Sequence, residues 1–246
     1  KNPEYLLGAL GSPDHLVRTK ALRIAAAPGL IDQLAQHAAA AQEPLGAAHA
    51  LWALLRIGTD QSLAKLGEGL KHPDWKVRRL AANLTRRHPP QGELGTTTLA
   101  AVSGGALKDK DAAVRVEGAL VLARLFPEGD RAAPALVDTL ISGAAQDVHL
   151  RYETAWHLGK HANQQAIGQL LQHENADVRL AGLIAIDAAC YENFPSKKAA
   201  LAALNAALEN PGPLDLTLLL SVAKLNGDAA MVPALEKLIA RQDLPL

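Results

Sequence analysis

The sequence predicts an all-α fold: a right-handed α-solenoid (superhelix) of about seven helical hairpins plus a terminal helix, forming one domain over residues 1–246. Three observations predict it. A short phrase recurs, an acidic or amide residue followed three and four places later by an aliphatic residue and an arginine. It reads Asp14…Val17-Arg18, Asp74…Val77-Arg78, Asp111…Val114-Arg115, Asp147…Leu150-Arg151 and Asn175…Val178-Arg179. Self-similarity at a period of about 28–37 residues is the mark of a stacked-repeat architecture. The composition agrees, with 49% hydrophobic but only 3% aromatic residues, the rest of the apolar content being mostly Ala and Leu. Such a core is made of thin, closely approaching helices. Finally, Gly and Pro breakers fall between the Leu/Ala-rich stretches, at Ser12-Pro13, His72-Pro73, Pro89-Pro90, Pro127-Glu-Gly129 and Asn210-Pro-Gly-Pro213.

Each repeat reads as a first helix, a tight turn, and a second helix opening at the Asp of the phrase. The expected pairs are 3–11 with 14–26, 30–41 with 43–57, 61–71 with 74–87 and 96–108 with 111–125. They continue as 131–143 with 147–160, 164–173 with 175–189, and 197–209 with 213–225, before a lone helix at about 229–241. Asp14, Asp74, Asp111 and Asp147 stand where a helix N-cap accepts from exposed N–H groups of the first turn. Val17, Val77, Val114, Leu150 and Val178 then point toward the preceding helix. Arg18, Arg78, Arg115, Arg151 and Arg179 lay their stems over apolar surface and reach carboxylates or carbonyls of the next repeat, as a structural ladder. Small residues after them (Ala21, Ala81, Gly118, Thr154, Gly182) let helices approach closely. Two repeats depart from the phrase, at Glu43-Pro44 and Pro213-Leu214-Asp215; a proline fits the first turn of a helix, where no N–H is needed.

The Asp…Val-Arg…Ala…Leu unit resembles the HEAT repeat, in its shorter bacterial form, over nearly the whole chain. The Trp-Leu-Gly-Tyr pattern of TPR units and the Thr-Pro-Leu-His of ankyrin units are missing. His49-Ala-Leu-Trp52, and Leu183-Ile-Ala-Ile-Asp187 followed by Tyr191-Glu-Asn-Phe194, also resemble the HEAT region of large exported bacterial proteins. Those join a dehydrogenase-like propeller, helical repeats and a c-type haem domain. That likeness implies a structural spacer whose redox chemistry lies outside this chain. The compartment is then periplasmic; without the likeness, the cytoplasm stands equally open.

Lys+Arg and Asp+Glu balance at 25 each, which argues against a general nucleic-acid binder. Cys190 is alone, so neither a disulfide framework nor a CxxCH haem attachment is expected. No apolar run reaches the roughly 18–20 residues of a membrane span. Opening at Lys1-Asn2-Pro3 without an initiator Met, the chain reads as a piece of a longer one. His157 and His161 share a helix side, but no third sequence-local ligand supports them, so no metal is expected. Gly104-Gly105 follows no strand and precedes no Lys-Ser/Thr, so it reads as a thin spot or break in a helix and not a phosphate cradle. No cofactor or small-molecule ligand is expected.

Function therefore falls to the second helices, which line the concave side of HEAT-like solenoids. His49, Trp52 and Arg56 share one face, as do Arg79, Asn83 and Arg86, and Tyr152, Trp156, His157 and Lys160. Together they make an aromatic and basic strip suited to an acidic peptide or partner helix, since Trp, Tyr and Arg dominate interface energetics. The competing reading places Trp52 and Trp156 as gap-fillers in an alanine-rich core. The expected function is a non-catalytic scaffold binding a protein partner or another domain of its own polypeptide. HEAT-like DNA glycosylases and bilin-lyase-like proteins are the enzymatic alternatives that the resemblance allows.

Overall fold

The computed structural model describes residues 3–127, 131–212 and 214–240. Among them every regular element is helical, with no strand. The chain divides into two compact units, Lys1–Leu125 and Phe126–Leu246.

The first unit holds α1 (Pro3–Ala9), α2 (His15–Ala25), α3 (Ile31–Ala40), α4 (Pro44–Ile57), α5 (Asp60–Ala64), α6 (Trp75–Arg87), α7 (Gly92–Ala106) and α8 (Ala112–Leu125). Consecutive helices pack as α1 on α2, α3 on α4 and α7 on α8, while α2, α4, α6 and α8 lie side by side as one layer. Between α5 and α6 the backbone tightens to a 3-10 helix over Lys65–Lys71, where the sequence led us to expect α-helix through 71. Two close approaches account for this segment's glycines. A Cβ on Gly69 would meet Ala81 Cβ at 2.8 Å, and one on Gly67 would meet Val102 Cγ2 at 2.9 Å.

The second unit holds α9 (Ala132–Ile141), α10 (Val148–His161), α11 (Gln164–Leu171), α12 (Ala176–Tyr191), α13 (Lys197–Glu209), α14 (Leu216–Asn226) and α15 (Val232–Ile239). Here α10, α12 and α14 form one layer, and α9, α11, α13 and α15 the other. Fully buried leucines and isoleucines such as Leu136, Leu158, Ile167, Leu170 and Ile186 fill the space between layers. Each contributes about 1.5–3 kcal/mol of burial. The helix expected at 213–225 begins later, at Leu216, because Asp215 is its cap; Pro213 lies outside the described residues. The helix expected at 229–241 opens as a 3-10 turn over Ala229–Met231 and runs to Ile239, its last expected residue lying outside the described set.

At the recurring phrase a single local arrangement is repeated. The side chains of Asp14, Asp74, Asp111, Asp147 and Asn175 accept from the backbone N–H two residues on, at 2.7–2.9 Å. The residue two places before the cap answers in turn. Ser12, His72, Asp109 and His173 each accept from the cap's own N–H, at 2.9–3.2 Å. The phrase arginine closes the turn from the other side. Nη1 of Arg18, Arg78, Arg115 and Arg179 donates to two carbonyls, five and six residues back, at 2.6–3.0 Å. Arg151 does so to Ala145 O alone, at 2.8 Å.

This corrects the expected ladder. The arginines clasp their own turn first, and Arg78 and Arg151 also reach the next repeat. Arg78 is bidentate to Asp109, at 2.6 and 2.9 Å, and Arg151 meets Asp177 at 2.5 Å. The reason is distance along the helix: a cap residue and the arginine four places on stand one turn apart, so the guanidinium overhangs the turn that precedes the cap. The aliphatic position also divides. Val77, Val114 and Val178 are buried, but Val17 is 42% exposed and Leu150 only half-buried.

A candidate partner-binding surface on the second helices

In the first unit, α4 and α6 carry six of the expected strip residues. His49 Nδ1 donates to Leu45 O at 2.8 Å, a bond within its own helix. Trp52 is 45% exposed, which overturns the core reading for that side chain. Arg56 is exposed as well. The three α6 residues do not simply face outward. They converge on Glu117 of α8, a carboxylate 1% exposed that sequence reasoning overlooked. Asn83 Nδ2 donates to its Oε1 at 3.0 Å, Arg86 Nε donates to its Oε2 at 3.3 Å, and Arg79 Nε lies 3.7 Å from Oε1. A buried carboxylate requires such compensation. The signal was present: Glu117 is the one acid in the stretch Ala112–Leu125.

In the second unit, Tyr152 and Trp156 stack one turn apart on α10, centroids 5.8 Å apart and planes 28° apart. Tyr191, at the end of α12, tilts against Trp156 at 6.5 Å and 57°. Tyr152 is 54% exposed and Tyr191 78%, while Trp156 is half-buried between them. Trp156 is thus neither sealed core nor free surface; it is the floor of an aromatic patch. Tyr191 was not among the expected strip residues, because its helix lacks the aromatic spacing of α10. His157 is half-buried and Lys160 exposed on the same helix. His161 is held below the usual imidazole range by burial and by the Lys160 charge, with the Pro127 backbone opposing. Among the described residues no group of three His, Cys, Asp or Glu side chains is placed to hold a metal ion. No described helix is long and apolar enough to cross a membrane.

The exposed side chains of α4, α6 and α10 include Trp52, Arg56, Lys76, Arg87, Tyr152 and Lys160. Burial raises the Cys190 thiol, which disfavours the reactive thiolate.

No protein-family profile matches the chain. No curated protein matches it either. Among solved structures it is similar to the X-ray structure of Escherichia coli YibA, with TM-score 0.55 and 18% identity, covering 99% of this chain and 88% of that one. It also aligns with the crystal structure of an engineered protein at TM-score 0.42 and 20% identity, covering 98% of this chain and 74% of that one. The YibA likeness shows that the all-helical fold is shared.

Proposed function

We propose that this chain is a HEAT-like repeat protein, a right-handed α-solenoid of about seven hairpins and a terminal helix. Its work is non-catalytic: the second helices present a surface to a protein partner or to another domain of the same polypeptide. The observation that carries this reading is the patch of Tyr152, Trp156 and Tyr191. The chain has only three tryptophans, three tyrosines and two phenylalanines, yet three of these eight rings gather at one exposed place. Exposed aromatic clusters cost solvation and serve as anchors where a partner covers them.

The test is a photo-crosslinking residue at Tyr191, with Gln169 on the exposed side of α11 as control, in cells that make the protein. Discrete adducts from position 191, within or between chains by mass spectrometry, and none from 169, are expected. Tyr152→Ser should abolish them. Equal labelling at both positions, or none at 191, overturns the reading.

A further inference from the structure

The neutral whole conceals two opposite halves. Residues 1–125 carry sixteen Lys and Arg against eleven Asp and Glu, and residues 126–246 carry nine against fourteen. The entire excess of the first unit lies in one stretch. Residues 71–87 contain Lys71, Lys76, Arg78, Arg79, Arg86 and Arg87 against Asp74 alone; the rest of that unit balances. This stretch is α6 and the turn before it, an element about 20 Å long.

The partners of these cations differ in a way that defines a surface. Arg78 is 7% exposed and locked on Asp109, so it belongs to the fold. Arg86 holds Glu117 at 3.3 Å, longer than the roughly 2.7–2.9 Å of a close charge-assisted pair, and Arg79 Nε stands 3.7 Å from the same carboxylate. Lys76 and Arg87 are exposed and make no ion pair among the described residues; Lys76 only overhangs the Trp75 ring, 6.0 Å from its centroid. Lys76, Arg79, Asn83, Arg86 and Arg87 follow one another at spacings of about three to four residues, with Arg86 and Arg87 closing the row, so they occupy one side of the helix. The same side already accepts a carboxylate, Glu117, from within.

We propose that this side of α6 binds a short acidic peptide segment, its carboxylates engaging Lys76 and Arg87 at the two ends and the guanidiniums around Glu117 between them. The proposal rests on the protein-binding reading and names the partner's chemistry at a second surface, separate from the aromatic patch. Charge complementarity carries it, and its extent selects the partner. A nucleic-acid duplex gains affinity from phosphate contacts spread along its length. Here the excess stops at the ends of one helix.

The test uses the full chain and fluorescence anisotropy of a labelled Glu/Asp-rich peptide of about twelve residues, enough to span α6 when helical. A Gln/Asn-substituted peptide and a single-stranded DNA of matched charge serve as comparison probes. The acidic peptide should bind at about 20 mM salt and weaken at least tenfold by about 200 mM, as screening requires. Lys76→Gln with Arg87→Gln should weaken it about tenfold, with an unchanged circular dichroism spectrum, because neither side chain holds the fold together. No binding at low salt, equal binding of the uncharged peptide, indifference to the double substitution, or tighter binding of the DNA would each overturn the proposal. If the peptide fails while Tyr191 adducts persist, this inference falls alone. If both fail, the protein-binding reading falls with it.

Discussion

Arg18 and Arg78 occupy the same place in the repeated phrase but not the same environment. Both clasp the two carbonyls of the preceding turn, yet only Arg78 also neutralises a carboxylate, Asp109, itself 11% exposed. Removing Arg18 forfeits hydrogen bonds that water largely replaces, so Arg18→Met should cost about 1 kcal/mol. Arg78→Met strands a mostly buried Asp109 and should cost about 3–5 kcal/mol. Thermal unfolding of the two variants should separate them clearly, and equal losses would refute the distinction. The same pair makes a pH prediction. Burial disfavours the Asp109 charge, but hydrogen bonds from Arg78 and from the Asp111 N–H outweigh it and hold the carboxyl below its ordinary value. A depressed carboxylate stabilises fully above its unfolded value of about 3.9 and loses that contribution as pH falls through its folded value. The melting-temperature gap between the wild type and Asp109→Asn should therefore persist from neutral pH to about pH 5 and shrink as the pH falls below the ordinary carboxylate range of about 4. A gap that widens in acid would contradict the sign. At this scale the sequence was partly legible. The cap aspartates declared themselves by type and position, whereas the carbonyls that the arginines choose depend on a turn geometry that residue names do not carry.

Helices α7 and α8 pack against one another and show how much small residues decide. A Cβ on Gly118 would stand 2.7 Å from Leu107 N and 2.9 Å from Ala106 Cβ, while one on Gly104 would meet nothing within 4 Å. Gly104→Ala should thus stabilise by about 0.5–1 kcal/mol through helix propensity. Gly118→Ala should destabilise by about 1–3 kcal/mol, because its neighbours include the Leu107 and Ala106 backbone, which must move. Denaturant unfolding of both variants checks the opposite signs. The Gly104-Gly105 pair is a thin spot rather than a break, since α7 runs through it and Leu70 Cδ1 would sit 3.4 Å from a Cβ on Gly105. Element boundaries were readable to within a few residues because caps and breakers are local chemistry. The 3-10 stretch Lys65–Lys71 was not, because the helices packed around it include α3, α4, α6 and α7, which lie elsewhere in the sequence. Glu117 escaped for the same reason. Its three partners sit 31–38 residues earlier in the sequence, and only packing of α6 on α8 brings them to it.

For the molecule as a whole, equal numbers of cations and carboxylates disguised a polarity that runs along the chain. Separately produced segments 1–125 and 126–246 should behave as opposites at neutral pH, the first retained on a cation exchanger and the second on an anion exchanger. Each should also be helical and melt cooperatively, since each encloses its own core; a segment that stays unfolded would count against two self-sufficient units. The class of fold was legible because repetition is visible in a single sequence. The surface was legible only as a set of candidates, since exposure of Trp52, half-burial of Trp156 and the approach of Tyr191 follow from neighbours far along the chain.

One detail of the turns reaches further. The phrase arginines grip main-chain oxygens, so the residues supplying those oxygens are held by their backbone and not by their identity. Pro13, Pro73, Lys110 and Glu174 fill the same role with unrelated side chains. Those corners are accordingly free to drift, and they are the places where an epitope tag or a fluorophore can be grafted while the clasp stays closed.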